Sequence, residues 1–236
     1  MPDPPTPNPP AKNRRRLIQM RLWRKSWSLW EEWVVAMAIA ELVGIGMIAI
    51  ARIAIHPVDR VGMIASLHIV GLLQGIVLGL AQWLVLRHYI QHVGKWVLVT
   101  AIAALIAWLI GIQAIVIMAF STSLNIDLTA GMRTTVLLRE AFLLGAWVGG
   151  VMGFAQWLVL KAHIRRAVLW IMVNALAWAL GLSVAFIGAR LIQSHPFNLK
   201  TALMGAITGL TMGAVVGAIT GIALIWLVKL PLSRRN

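Results

Sequence analysis

One segment occurs three times in this chain, and this repetition constrains the fold more than any other feature of the sequence. Gly71–Arg87 (GLLQGIVLGLAQWLVLR) recurs 74 residues later as Gly145–Lys161 (GAWVGGVMGFAQWLVLK), and a more divergent copy, Gly213–Lys229, follows at an offset of 142 from the first. Each copy contains three glycines spaced four residues apart: Gly71, Gly75, Gly79, Gly145, Gly149, Gly153, Gly213, Gly217 and Gly221. This spacing places small residues on one helix face, where they allow a second helix to approach closely. We therefore predict that the nine glycines are helix-packing positions, or glycine zippers, of transmembrane helices.

The composition indicates that the chain is embedded in a membrane. Hydrophobic residues make up 60% of the sequence and charged residues only 12%, and the mean hydropathy is +0.85. A soluble domain with this composition could not cover its surface with polar groups. Six apolar segments, each long enough to cross a hydrocarbon core of about 30 Å, predict an all-α membrane protein; they are residues 33–55, 64–86, 96–120, 136–160, 169–192 and 202–230.

The basic residues predict the orientation of the chain and argue against a nucleic-acid partner. The formal net charge is +14, but the basic residues lie in the tails and between the apolar segments, where membrane proteins carry them. Fifteen of the 21 Lys and Arg residues fall on the side of the two termini. Both termini are therefore predicted to be cytoplasmic.

The segments flanking the spans differ in composition from the spans themselves. Residues 1–16 form a proline-rich and then basic tail that we predict to be disordered, and residues 231–236 form a second basic tail. In residues 17–32, Trp23, Trp27 and Trp30 recur at helical spacing among basic residues. This pattern predicts an interfacial amphipathic helix that binds anionic lipids; it fits equally well the aromatic belt and positive flank of the first span.

The odd-numbered spans are repeated as well. The segment from Trp33 to Gly44 matches that from Trp170 to Gly181 at an offset of 137, and the third span matches both if four residues are inserted. The predicted unit is a helical hairpin: an odd span that begins with an interfacial Trp, an outer turn, and an even span that carries the glycines. Three such units, at about residues 33–87, 96–161 and 169–229, make up the transmembrane domain 33–230 and predict a pseudo-threefold bundle.

A few polar residues lie inside the apolar spans. Gln82 and Gln156 lie on the glycine faces, and Glu41 is the only carboxylate well inside a span. Glu41, Gln82, Gln156 and Asn174, together with Thr220, are predicted to form one intramembrane polar layer. A buried ionisable group is a functional candidate, so Glu41 fits a ligand or ion site. The pattern favours instead an interior structural acid, protonated or hydrogen-bonded to one of these amides.

The sequence contains no pattern that indicates an enzyme, a metal site or a bound cofactor. There is no cysteine, and no Walker loop, H-E-x-x-H or G-x-S-x-G motif occurs. His88 and His92 have the i, i+4 spacing of a metal or haem ligand pair, but they lie in a basic loop that is typical of solvated residues. His68, on the first glycine face, is predicted to be a hydrogen-bonded core residue.

The two best copies of the motif resemble those of a known group of proteins. GLAQWLVLR and GFAQWLVLK are each followed by a basic loop and by a Trp thirteen residues after the motif Trp. Over about residues 64–181, the chain is similar to bacterial polytopic membrane proteins, frequent in cyanobacteria, that carry repeated G-x-x-Q-W-L-V-L-[RK] segments. This resemblance implies a bacterial inner or thylakoid membrane location and no particular activity. The third copy has Leu224-Ile225 in place of Gln-Trp, which argues against a symmetric site of three amides.

Three functions are compatible with these patterns. The close-packing faces and the basic N-terminal segment favour a non-enzymatic scaffold or assembly subunit that binds another membrane protein complex. The polar residues around Glu41 favour a small transporter or the substrate-binding subunit of one. The Trp-rich helices with His88 and His92 are compatible with pigment or haem binding.

Overall fold

The described part of the chain folds into six helices. The computed structural model describes residues 11–54, 60–123, 130–193 and 198–228. Their helices are α1 (Ala11–Ala54), α2 (Arg60–Leu86), α3 (Trp96–Ser123), α4 (Ala130–Leu160), α5 (Leu169–Gln193) and α6 (Leu199–Val228). No strand occurs within these ranges. Each of the six predicted apolar segments lies on one of the helices, which confirms the all-α fold class.

The lengths and surfaces of the helices fit a membrane-embedded protein. Five helices contain a segment long and apolar enough to cross a bilayer: Ser26–Ala51, Ala65–Leu86, Thr134–Leu160, Leu169–Ile192 and Leu199–Val228. In α3, the apolar segment found among the described side chains is the shorter Trp96–Gly111. Large apolar side chains remain exposed along the outside, such as Met172 at 69% and Leu98 at 61%. Such a surface suits lipid.

The helices form a closed ring. Each helix contacts the next helix along the chain, and α6 contacts α1. In the described part of the chain, no other pair of helices has Cα atoms within 8 Å of each other. The first and last helices are therefore neighbours, although they are at opposite ends of the sequence.

The three glycine faces lie at alternate contacts of this ring, between α2 and α3, between α4 and α5, and between α6 and α1. A methyl group added at Gly75 would overlap the Cβ of Ala104, and one added at Gly149 would overlap the carbonyl of Asn174. At Gly213 the neighbouring atoms belong to the backbone of Met37. Each glycine face therefore packs against the next sequence repeat, whereas the other helix of its own predicted hairpin lies on a different side.

The helix–helix turns after the first two copies of the motif have the same geometry. In each turn, the backbone N–H of the fourth residue after the helix end donates to the carbonyl of the last helical residue. Ile90 donates to Leu86 and Ile164 donates to Leu160, both at 2.8 Å. A non-glycine residue has φ = 60° in each, His92 and Arg166, which are again 74 residues apart. These short turns fix the start of each odd helix relative to the end of the preceding even helix.

The N-terminal boundary differs from the prediction. Helix α1 continues without a break from Ala11 to Ala54, so no helix end separates residues 17–32 from the first span, and residues 11–16 are helical. The physical reason is that residues 11–43 contain no proline or glycine to interrupt a helix. The tail segments 1–10 and 231–236 and the outer turns with His56-Pro57 and His195-Pro196 lie outside the described residues.

Candidate functional site

The first two copies of the motif divide their side chains between the interior of the ring and its surface. In the first copy, Gln82 is 3% exposed, and Val85 and Leu86 are also buried. Leu84, between them, is 46% exposed. The second copy repeats this pattern with Gln156 buried and Leu158 exposed. The motif therefore specifies which side of the helix end faces the centre.

The motif Trp and its terminal cation form a pair at the helix end. The guanidinium carbon of Arg87 lies 5.1 Å from the ring centroid of Trp83, and Nζ of Lys161 lies 4.7 Å from that of Trp157. Both tryptophans are half-buried. A cation over an indole face is the arrangement expected where an aromatic residue meets the membrane interface.

The Trp that begins each predicted odd span is buried at the centre of the ring. Trp33, Trp96 and Trp170 are all 0% exposed. Trp170 makes edge contacts with the other two, at centroid distances of 6.1 Å to Trp33 and 6.3 Å to Trp96. The short turns after α2 and α4 bring Trp96 and Trp170 back to the level of the motif glutamine, and the interfacial depth of these residues stays a prediction.

Each of these buried tryptophans donates its indole N–H to an acceptor on the even helix that packs beside it through a glycine face. Trp96 Nε1 donates to Gln82 Oε1 and Trp170 Nε1 to Gln156 Oε1, both at 2.9 Å. In the divergent third copy, Leu224 replaces the glutamine, and Trp33 Nε1 donates instead to Thr220 Oγ1 at 2.9 Å. We call these residues, together with Thr100, the tryptophan–amide layer.

The two glutamines connect the pairs to one another. Gln156 Nε2 donates to Gln82 Oε1 at 2.9 Å and to Thr100 Oγ1 at 3.2 Å. Gln82 Nε2 contacts the sulfur of Met37 at 3.2 Å. The buried amides and indoles thus satisfy one another, as a membrane interior requires.

Glu41 lies outside this layer, which corrects the expectation of one polar layer. Its Oε2 accepts a hydrogen bond from Gln74 Nε2 at 2.9 Å, and no hydrogen bond joins it to Gln82 or Gln156. Asn174 donates to the carbonyl of Trp170 in its own helix, at 2.9 Å. The reason is depth: Glu41 is eight residues beyond Trp33, or about 12 Å along the helix, whereas the glutamines are at the level of the tryptophans.

A cavity of about 200 Å³ lies next to Glu41, and all six helices contribute to its wall. Glu41 and Gln74 are its polar lining residues, and its aromatic ones are Trp108, Trp178 and Phe186. Glu41 is 1% exposed. Glu41 Oε1 and Gln74 Oε1 are both buried and have no hydrogen-bond partner. None of the described residues that line the cavity is a lysine, arginine or histidine.

The described histidines belong neither to the tryptophan–amide layer nor to the Glu41–Gln74 pair. His68 Nε2 is buried and has no hydrogen-bond partner, so the predicted hydrogen bonding is wrong for this atom. His88 and His92 are exposed in the α2–α3 turn. Within the ranges that the structure describes, no group of three or more acidic or histidine side chains has the arrangement of a metal site.

Gln74 is the site residue that the sequence analysis missed, and the repeat contains the signal for it. Its equivalents in the other copies are Val148 and Val216, and the equivalent of Glu41 in the fifth span is Trp178. A Cβ at Gly44 would lie 2.6 Å from Gln74 Nε2, so this glycine leaves room for the amide. The polar pair occurs where the first repeat departs from the others.

Comparisons with protein-family models, curated proteins and solved structures give no match to this chain.

Proposed function

We propose that the protein is a small transporter or the substrate-binding subunit of one, and that the cavity beside Glu41 is its substrate site. The observation that carries this proposal is that Glu41, which has a buried carboxyl oxygen without a hydrogen-bond partner, lines a cavity between the helices. Ligand sites in helical bundles are concave, largely apolar and equipped with a few polar groups, and an acid inside a membrane is a functional candidate.

The comparison between repeats supports this assignment. Apolar residues stand at the positions equivalent to Gln74, and a tryptophan stands at one equivalent of Glu41. Helix pairs with these apolar residues pack within the same ring, so the fold does not need a carboxyl–amide pair at this level. Because the packing does not require these two polar residues, we assign them a role in ligand binding.

The proposed architecture is a pseudo-threefold bundle in which glycine zippers join successive repeats. It is supported by the matching turns around His92 and Arg166 and by the matching Trp–Gln pairs. Following the distribution of basic residues, we place both termini on the cytoplasmic side of a bacterial inner or thylakoid membrane. The tryptophan–amide layer then lies near the cytoplasmic interface, and the cavity lies deeper.

The other two functions have less support. A scaffold or assembly subunit needs outward docking faces, and a cavity with a buried acid adds nothing to that role. Pigment or haem binding through His88 and His92 would place the ligand at an exposed turn, away from the cavity. Recovery of a stoichiometric membrane-protein partner in a mild-detergent pull-down, with or without a filled cavity, would favour the scaffold.

Cavity filling tests the proposed function. Leu182 lines the cavity, whereas Leu180 on the same helix is 39% exposed, so Leu182→Trp fills the space and Leu180→Trp is the matched control. Small molecules extracted from protein in native lipid discs are compared by mass spectrometry. We expect a compound that is retained by the unchanged protein and by Leu180→Trp and is lost in Leu182→Trp. Equal small-molecule content in all three preparations would contradict the proposal.

A further inference from the structure

Two polar residues, Glu41 and Gln74, line the cavity among the described residues, and none of these lining residues is positively charged. Glu41 uses Oε2 to accept from Gln74 Nε2, which leaves Glu41 Oε1 and Gln74 Oε1 buried without partners. The amide orientation follows from the same contact, because a reversed amide would place an oxygen against the carboxylate. Buried acceptors in native structures are nearly always satisfied, so this pair fits a ligand that donates.

The charge of the site narrows the ligand further. A carboxyl among apolar walls stays ionised only when a cation pairs with it and otherwise keeps its proton, and none of the described lining residues is a lysine, arginine or histidine. A primary ammonium supplies both the charge and several N–H donors. The walls also suit a cation, since Trp108, Trp178 and Phe186 contribute indole and phenyl rings.

The size of the cavity limits the rest of the ligand. Its volume of about 200 Å³ is somewhat larger than that of an engineered cavity of about 150 Å³ that holds one benzene molecule. One ring, or an alkyl group of similar size, therefore fills most of it. We propose that the ligand is a small hydrophobic primary amine in its ammonium form, which donates to Glu41 Oε1 and Gln74 Oε1. This inference rests on the proposed function and names its ligand class.

Three probes that share a benzyl group separate charge from hydrogen bonding, and the first two are of equal size. Benzylammonium has both, benzyl alcohol donates without a charge, and benzyltrimethylammonium carries a charge without an N–H. Binding is measured by calorimetry on the purified full chain in lipid nanodiscs. We expect benzylammonium to bind at least about 30-fold more tightly than benzyl alcohol, and benzyltrimethylammonium to lie between them. Equal affinity for benzylammonium and benzyl alcohol, or no binding of benzylammonium, overturns the inference without the use of any variant.

Two variants of α1 assign the effect to Glu41. Glu41→Gln removes the charge with little change in shape, and Glu31→Gln makes the same change at an exposed position of the same helix. We expect Glu41→Gln to weaken benzylammonium binding at least about 30-fold and to leave benzyl alcohol binding nearly unchanged. Glu31→Gln should bind both probes as the unchanged protein does. A Glu41→Gln variant that is monodisperse and retains full benzylammonium affinity contradicts the inference.

The outcomes also separate this inference from the proposed function. If uncharged probes bind as well as benzylammonium and Leu182→Trp abolishes their binding, the cavity is a ligand site but not an amine site. If no probe binds and no small molecule is retained in native lipid discs, both proposals fail.

Discussion

At the scale of single residues, the tryptophan–amide layer depends on one requirement, an acceptor for each buried indole N–H. Gln82 and Gln156 meet it with amide oxygens, and Thr220 meets it with a hydroxyl in the third copy. Thr220 also donates to the carbonyl of Val216 at 2.6 Å. An indole left unpaired in a dry interior would lose the full desolvation energy of its N–H. The glutamine amide oxygen and the threonine hydroxyl are therefore alternative acceptors for a buried indole N–H.

This equivalence predicts that the second copy can be converted to the arrangement of the third. Met152 lies four residues before Gln156, as Thr220 lies before Leu224. We expect Gln156→Leu to lower the free energy of unfolding by about 1–3 kcal/mol, because Trp170 loses its acceptor. Adding Met152→Thr should restore about 1 kcal/mol of this loss by supplying a hydroxyl acceptor. Denaturant titration in mixed micelles measures both values.

The control for this cycle is Gln91→Leu, an exposed position in the α2–α3 turn, which should change stability by less than about 0.5 kcal/mol. Met152→Thr alone should destabilise the protein, since the buried hydroxyl then has no indole to bind. The sign of its effect must therefore reverse in the Gln156→Leu background. Additive effects of the two substitutions would show that the hydroxyl does not replace the amide.

At the scale of helices, the sequence is enough to predict the existence of the six helices but not which neighbour each glycine face meets. Long apolar runs and glycine spacing are local properties, so they can be recognised without a structure. The helix that a glycine face contacts depends on how the short turns orient successive helices. The spacing of residues along the sequence does not specify that orientation. For the same reason the sequence analysis identified Glu41 as a candidate and failed to identify Gln74 as its partner.

Two adjacent glycines of α4 provide a matched test of the helix contact. A methyl group at Gly149 would overlap backbone atoms of Asn174, while one at Gly150 would have nothing within 4 Å. We expect Gly149→Ala to lower the free energy of unfolding by about 1–3 kcal/mol, because α4 and α5 must separate. Gly150→Ala should raise it by about 0.5–1 kcal/mol through the better helix propensity of alanine. Thermal and denaturant unfolding of both variants measure this difference, and equal effects would mean that the glycine face does not set the helix distance.

At the scale of the whole molecule, the contact between α6 and α1 makes the ring complete. It uses the same kind of glycine face as the other two tight contacts, with Gly217 against Val34 and Met37. Trp30 adds a hydrogen bond from Nε1 to the carbonyl of Ala218 at 3.1 Å. A ring closed in this way surrounds the cavity with helices, because α1 provides Glu41 and α6 provides Met212 to its wall. An open arrangement of the same six helices would expose Glu41 to lipid.

Ring closure predicts a disulfide between residues that are far apart in sequence. In the unchanged chain, a Cβ built at Gly217 lies 2.9 Å from the Cβ of Met37, and a separation of about 3.5–4.5 Å suits a disulfide. Cysteine keeps its Cβ, and Val34 Cα also lies 2.9 Å from the Cβ built at Gly217, so the two helices must move apart slightly to form the bond. Since the chain has no cysteine, Met37→Cys with Gly217→Cys creates one unambiguous pair.

After mild oxidation in membranes and cleavage at a protease site inserted in the α4–α5 turn, we expect the two fragments to remain joined on a non-reducing gel. Met37→Cys with Leu180→Cys is the control. Leu180 lies on the other fragment, is exposed on α5, and belongs to a helix whose Cα atoms all lie more than 8 Å from those of α1, so the fragments of this variant should separate. Separation of the fragments for both pairs would mean that α1 and α6 do not meet, and the enclosed site around Glu41 would then have to be abandoned.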